Sequence, residues 1–457
     1  VFVATTLVVA ALVAVPNPWQ AGLERIGSDL VALLLAAGLV VIIGLIDDRL
    51  QLRGRQKLLG QCLAVAVLVA SGLVIQRFAV FGYQVDLGLL AVPFTFFWLL
   101  GAINSVNLLD GIDGMASVLG IILVGAFAGI AALTNRPEIA VVALTFAGAL
   151  CGFLRFNFPP ASIFLGDAGS MLIGLVVGTL AIQGSLKGPG TVLLVAPLAV
   201  WTLPILDSAA AILRRKLTGR SIYSTDRGHL HHRLLDRFGT SRRVLAVVST
   251  CCLVTSASAM ASVLYNNDFI AAAGIGAVVV ALVATGLFGQ GELNLVLGWL
   301  RRTLRSLLAK PGAPRDFETA VRLQGSRQWE ILWASLTESA NKLSLTQVHL
   351  DVNLPLEHES YNATWDRTPA VPPDECWRLE IPLVVNAQPA GRLTVMGLPN
   401  GTSACMELDH LLDLLSPIEE RLRSFAEASK PAVATAAGLV SESAPAAEPR
   451  PAVSPSK

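Results

Sequence analysis

Charge is the scarcest property of this 457-residue sequence: only 15% of it is Asp, Glu, Lys or Arg, against about a quarter in soluble globular chains. With 53% hydrophobic residues and a mean hydropathy of +0.62, a large soluble core is excluded as the main architecture. The net charge of +1 offers no electrostatic footprint for a polyanion, and no nucleic-acid partner is expected. The six cysteines (Cys62, Cys151, Cys251, Cys252, Cys376 and Cys405) form no C-x-x-C pair, which argues against a disulfide framework or a thiolate metal site. A G-x-x-x-x-G-K-[ST] loop is also missing, so ATP hydrolysis is not indicated. Runs of short alternating strands, as an outer-membrane barrel would need, are absent from the apolar part, and there is no internal repeat. The chain opens on Val1 inside an apolar run, without a basic leader or cleavage site. A signal peptide is therefore not expected, and an N-terminally truncated chain is.

What is present is a series of apolar segments at about 1–15, 29–46, 57–76, 87–104, 115–133, 138–155, 169–184, 191–212, 243–264 and 268–288. Each is long enough to cross or nearly cross a hydrocarbon core of about 30 Å. Spanning segments must satisfy their own backbone groups, so the expected fold class is an all-α polytopic membrane protein of about ten transmembrane helices. Lys and Arg then set the orientation. Arg49, Arg53, Arg55 and Lys57 follow the second segment, and nine basic residues from Arg214 to Arg243, including Arg220 and Arg227, follow the eighth. Connections of the opposite parity carry Arg25, Arg77, Arg136 and Lys187 singly. The positive-inside rule places the basic connections in the cytoplasm. Helix parity then brings Asn104–Asp113 and the stretch 155–170 to the same face.

The domain reading is a membrane-embedded domain at 1–290, a juxtamembrane linker at 291–314 that includes the basic amphipathic stretch "RRTLRSLLAK", a small soluble cytoplasmic α+β unit at 315–426, and a disordered Ala/Pro/Ser-rich tail at 427–457. In the α+β unit, "TQVHLDVNL", "CWRLEIPLVV" and "GRLTVMGL" alternate like strands. "WEILWASLTESANKL" and "MELDHLLDLLSPIEERLRSF" have helical spacing.

Four connections on the predicted cytoplasmic face carry chemistry. In "GLIDDRLQLRGRQKLLGQ", Asp47 and Asp48 follow an apolar helix; they either begin a solvated loop or form a carboxylate pair for a cation or a proton. In "NSVNLLDGIDGMA", Asp110 and Asp113 share one face if the turn is helical, and Gly111 and Gly114 leave room for a ligand; a plain polar turn is the alternative. In "FNFPPASIFLGDAGS", Asp167 either caps the next helix or faces a ligand, and Phe164 is either core or a stacking platform for a base. In "STDRGHLHHRLLDRFG", His229, His231 and His232 stand among arginines, which suits a phosphate or pyrophosphate better than zinc. Carboxylates that hold Mg²⁺, together with basic groups, make a clamp for a diphosphate.

These four stretches, in this order and spacing, resemble the polyprenyl-phosphate N-acetylhexosamine-1-phosphate transferases, and the resemblance covers about residues 1–290. It implies transfer of a sugar 1-phosphate from a UDP-sugar to undecaprenyl phosphate, with Mg²⁺ (or Mn²⁺) as cofactor and UMP released. It also implies a bacterial inner-membrane location with the active site facing the cytoplasm; a homodimer is compatible with it. By motif match, Asp167 would be the metal ligand and Asn157 its neighbour. Asn107, Asp110, Asp113 and Phe164 would line the nucleotide pocket. Asp47 and Asp48 would lie near the lipid phosphate, with Asp47 as proton acceptor, and Lys57 would contact phosphate. His229, His231, His232 and Arg233 would bind substrate. The "HLHHRLL" form is similar to the UDP-N-acetylglucosamine branch, which implies initiation of an envelope polysaccharide. The family's usual first span and loop have no counterpart, in keeping with the truncation expected above. Two other readings compete: a cation-coupled transporter or lipid-binding membrane protein, which would place charges within spans on both leaflets, and a membrane-anchored sensor with 315–426 as its output unit.

Overall fold

A computed structural model describes residues 1–184, 186–188, 191–218, 229–308, 315–324, 327–342, 345–354, 359–368, 376–386, 388–398, 416 and 418–424. Arg220, Arg227, Cys405, most of the helix expected over 406–425 and the tail 427–457 lie outside these residues. The chain divides into two compact units, Val1–Leu308 and Ala309–Lys457.

The first unit is a helical bundle. Its elements are α1 (Phe2–Ala14), α2 (Gln20–Arg25), α3 (Gly27–Leu50), α4 (Gly54–Ala70), strands β1 (Arg77–Val80) and β2 (Tyr83–Asp86), α5 (Ala91–Leu109), α6 (Met115–Leu133), α7 (Pro137–Asn157), α8 (Gly166–Gly184), strands β3 (Leu186–Gly188) and β4 (Thr191–Leu193), α9 (Val195–Val200), α10 (Thr202–Leu217), α11 (Leu230–Phe238), α12 (Ser241–Leu264), α13 (Asp268–Ala284) and α14 (Gln290–Leu308). Among the described residues, six helical stretches are long and apolar enough to cross a membrane: Gly27–Leu50, Gly88–Leu109, Met115–Leu133, Pro137–Asn157, Gly166–Gly184 and Ser241–Leu264. The protein is thus a multi-pass helical membrane protein, with six such helices where ten were expected. The remaining four segments fall short for identifiable reasons. The 13 residues of α1 and the 17 of α13 rise only about 20 and 25 Å at 1.5 Å per residue. Helix α4 carries Arg55, Gln56, Lys57 and Gln61 in its 17 residues. The eighth segment breaks at Trp201, between α9 and α10, with Pro204 beginning the second piece.

Helix α8 is the centre of the bundle, packed on α3, α5 and α6, and every residue from Met171 to Gly184 is buried. Small residues permit that proximity, as they do where helices associate in lipid. A Cβ on Gly174 would lie 2.6 Å from the Ala102 carbonyl oxygen of α5, and a Cβ on Gly44 of α3 would overlap the Ala168 backbone of α8. The Gly44 contact sits one turn before Asp47 and one residue after Asp167, so it presses those two aspartates toward each other.

At one end of the bundle, four connections meet. The β1–β2 hairpin was not anticipated by apolar periodicity; its strand β1 pairs in parallel with β4, giving a small sheet in the order β2-β1-β4-β3. The Phe81 N–H donates to Asp268 at the start of α13 (2.6 Å), and Thr134 donates to the Gly184 carbonyl (2.9 Å). The chemistry-bearing connections therefore gather at the other end, as the helix count required.

In the second unit, five antiparallel strands take the order β5-β7-β6-β9-β8: β5 (Arg315–Gln324), β6 (Leu345–Leu354), β7 (Glu359–Thr368), β8 (Trp377–Val385) and β9 (Gln388–Gly397). Helix α15 (Gln328–Lys342) buries Trp329, Trp333, Leu336 and Ala340 against Val348, Leu350 and Val352 of β6. The alternating stretches are strands, as their period of two predicts.

Candidate active site

Lys57, on the first turn of α4, is the hub. Its ammonium lies 2.9 Å from Asp47 Oδ2, 2.5 Å from Asp167 Oδ2 and 3.1 Å from Asn107 Oδ1. Asn107, in the last turn of α5, turns its amide to Asp167 Oδ1 (2.7 Å) and to Ser170 Oγ (2.9 Å). Residues 110 positions apart in sequence thus share one cluster.

Asp47 and Asp48 belong to the final turn of α3, which ends at Gln51 in the left-handed conformation; the reading that they begin a loop is corrected. The Asp47 carboxylate accepts the Leu52 N–H (2.7 Å) and closes the turn. Asp48 reaches across to α8, accepting the N–H groups of Asp167 (2.9 Å) and Ala168 (3.4 Å). The orphan donors at the α8 N-terminus are met by a carboxylate from another helix. Asp167 does not serve as that cap, and its own carboxylate faces Lys57 and Asn107.

Asp110 and Asp113 do not share a helical face. Helix α5 stops at Leu109, and Gly114, at φ 75°, starts α6. Asp113 accepts the Ala161 N–H (2.9 Å) and so fastens the 158–165 connection. Burial, reinforced by the charges of Asp167, Asp48 and Asp113, pushes the Asp110 carboxyl up to about 7. Asn157 is buried between Ser117 Oγ (2.8 Å) and the Ile163 carbonyl (3.0 Å). It shapes the same connection and makes no bond to Asp167. Phe164 is 75% exposed, which rules out a core role in this chain and leaves its ring face free to stack.

The histidine stretch arrives from the other side. His229 caps α11 and pairs through Nδ1 with the fully buried Asp207 of α10 (2.9 Å), whose other oxygen accepts the Leu230 N–H (2.6 Å). His231 lies stacked beside His229 and against Gly111, where any Cβ would overlap its Nε2. Burial, then the neighbouring His232, lowers the His231 imidazole to about 4, so the ring is neutral at pH 7 and aimed at the Asp110–Asp113 turn. His232 lies 4.2 Å from it, ring centre to ring centre. Arg233 pairs with Glu292 of α14 (2.9 Å), and Arg214 of α10 meets the same carboxylate. Arg242 donates twice to the Pro159 carbonyl (3.1 Å each).

Asp207, Glu292 and Ser117 escaped sequence reasoning. A lone Asp inside the apolar 191–212 segment is itself a signal, since a carboxylate within a span is costly without a partner. Among the described residues, no group of three or more His, Cys, Asp or Glu side chains is arranged to hold a metal ion. The donors around Lys57 are all oxygens, from two carboxylates and one amide, and they already surround a cationic group. That set fits Mg²⁺, which uses one or two carboxylates and completes its shell with water and substrate phosphate.

Comparison with known proteins places the chain in a family. The family model for glycosyl transferase family 4 matches residues 30–185. A Bacillus subtilis protein named "Probable undecaprenyl-phosphate N-acetylglucosaminyl 1-phosphate transferase" is 34% identical over 219 residues, covering 48% of this chain and 61% of that one. The decaprenyl-phosphate N-acetylglucosaminephosphotransferase of Mycobacterium tuberculosis is 35% identical over 281 residues, 56% of this chain and 69% of its own length. The chain belongs to glycosyl transferase family 4. A phospho-N-acetylmuramoyl-pentapeptide-transferase of Halalkalibacterium halodurans is also related, at 34% over 220 residues, 45% of this chain and 66% of the relative. The family region holds Asp47, Asp48, Lys57, Asn107, Asp110, Asp113, Asn157, Phe164 and Asp167, while the histidine stretch and its partners lie beyond it.

Proposed function

We propose that this protein transfers N-acetylglucosamine 1-phosphate from UDP-N-acetylglucosamine to undecaprenyl phosphate, releasing UMP and initiating an envelope polysaccharide. The observation that carries the reading is the Lys57 cluster, in which Asp47, Asn107 and Asp167 converge from three separate connections at one end of the bundle. The relatives named for polyprenyl-phosphate N-acetylglucosamine transfer support the choice of sugar and lipid. A transporter would need carboxylates along a path through the bundle, whereas these gather at its edge.

In this reading an oxygen of the lipid phosphate attacks the phosphorus that bears the sugar. The bond from that phosphorus to the bridging oxygen breaks, and the electron pair leaves with UMP. One phosphoanhydride replaces another, with no redox change. Asp167, with Asp47 beside it, would hold Mg²⁺, which supplies charge neutralisation for the diphosphate. Lys57 contacts the same phosphates and pairs with Asp47, the residue that takes a proton from the lipid phosphate in this reading. Asp48 acts through α8 by fixing the Asp167 backbone. Asn107, Asp110, Asp113 and the exposed ring of Phe164 line the uridine side. Neutral His231, with His229, His232 and Arg233, closes the pocket over Gly111, and Asp207 sets the histidine geometry.

The same reading puts this end of the bundle in the cytoplasm of a bacterial inner membrane, where UDP-sugars are made, and lets α1, α4, α9–α10 and α13 complete ten crossings. The test is radiolabelled UDP-N-acetylglucosamine with undecaprenyl phosphate in detergent. Label in the lipid phase with equimolar UMP is expected; UMP formed without labelled lipid, or no dependence on the lipid phosphate, overturns it.

A further inference from the structure

We propose that α14 is a surface helix that lies in the plane of the leaflet at the aspartate end of the bundle and binds anionic lipid headgroups. Two faces of the helix are distinct. Glu292 and Leu295 are buried in the first unit, Glu292 between Arg214 and Arg233. Phe288, just before the helix, is buried beneath the Arg233 guanidinium, 5.6 Å from its ring centre. This end of α14 is therefore fixed to the bundle. Leu293, Leu297, Leu300 and Leu304, at i, i+4, i+7 and i+11, form one narrow stripe and are 37–53% exposed. That spacing keeps them within about 60° of each other on a helix of 3.6 residues per turn. The stripe points away from the buried side, whereas Trp299, 55% exposed, lies on the azimuth of Glu292 and Leu295, one to two turns beyond them.

The occupant follows from chemistry and position. Arg301 is exposed on α14, and the sequence continues with Arg302, Arg305 and Lys310, so positive charge is concentrated over 301–310. The only acid in α14, Glu292, is consumed by its two arginine partners. A leucine stripe beside arginines, on a helix too polar to be one of the crossing helices, is the pattern of an interfacial helix attracted to acidic lipid. A membrane protein already holds the first turn of this helix at the edge of its bundle, where such lipid is present. A second copy of the chain or another protein would cover the stripe without needing the arginines.

The full-length chain, keeping only the fully buried Cys252, is reconstituted with a spin label at Leu297→Cys, Leu304→Cys, Asn294→Cys or Arg301→Cys. Vesicles contain either phosphatidylcholine alone or phosphatidylcholine with phosphatidylglycerol. In the anionic vesicles, collision with oxygen relative to a water-soluble nickel chelate should be several-fold higher at 297 and 304 than at 294 and 301. The contrast should shrink in neutral vesicles or at high salt. Shielding of 297 and 304 from both probes would assign the stripe to a protein partner and overturn the proposal. So would equal access of nickel at all four sites, or a contrast unchanged in neutral vesicles. None of these readouts depends on transferase activity.

Discussion

Two carboxylates and one ammonium within hydrogen-bond reach make the Lys57 cluster sensitive to single charges. Asp167→Asn keeps the shape and an acceptor for Asn107 but removes the charge facing Lys57. Its kcat/KM should fall roughly 10²–10³-fold, about 3–4 kcal/mol of transition-state stabilisation. UMP release across a magnesium titration checks this; turnover near that of the unaltered protein would dismiss the assignment. Asp110 offers a pH test. Its carboxyl titrates at about 7 in the folded protein, against 3.8 ordinarily. The folded state therefore holds this proton when the unfolded chain has lost it. Stability from this group is present at low pH and declines as pH rises toward about 7, with roughly 4 kcal/mol as the ceiling. Asp110→Asn should match the unaltered protein near pH 4 and melt at higher temperature by about pH 8, because it never carries the buried charge. Thermal midpoints in detergent without added metal measure it, and parallel pH curves would show that Asp110 is solvated instead.

Helices α3 and α8 meet where Gly44 has no side chain, and two connections of the candidate site depend on that meeting. Gly44→Leu would force the backbones apart at a cost of about 1–3 kcal/mol. It should also lengthen the Asp47–Asp167 separation, so transfer should fall more than stability does. Comparing initial rates with melting temperatures decides; a variant that loses only stability would place Gly44 in packing alone. The sequence made the helices and the motifs legible because apolar length and unpaired charge are local signals. It hid what distance in sequence conceals: Asp48 capping α8 across 119 residues, Asp207 behind His229, and Glu292 between two arginines. The β1–β2 hairpin was hidden for another reason. Its strands are four residues each, too short for an alternation to stand out from apolar surroundings. Of the two alternatives at Asp110–Asp113, the helical turn is excluded because Gly114 stands at φ 75°, backbone that a helix does not use.

For the whole bundle, the orientation can be read by labelling. A membrane-impermeant maleimide on intact cells should spare cysteines at Arg53 and Ser162 until the cells are opened, and should label Asn135 and Asn267 at once; all four positions are exposed. The reverse pattern would place the aspartate end outside and remove the UDP-sugar reading with it. The small sheet at the opposite end has a mechanical consequence. Parallel pairing of β1 with β4 ties the connection after α4 to the connection after α8, and Phe81 adds α13 to the same knot. Among the described residues, the bundle is stapled by strand pairing at its far rim and held at the aspartate rim through side chains. Like a clothes-peg, such a body opens opposite its spring, so amide exchange should be slow in β1 and fast in residues 157–165, beside the proposed site.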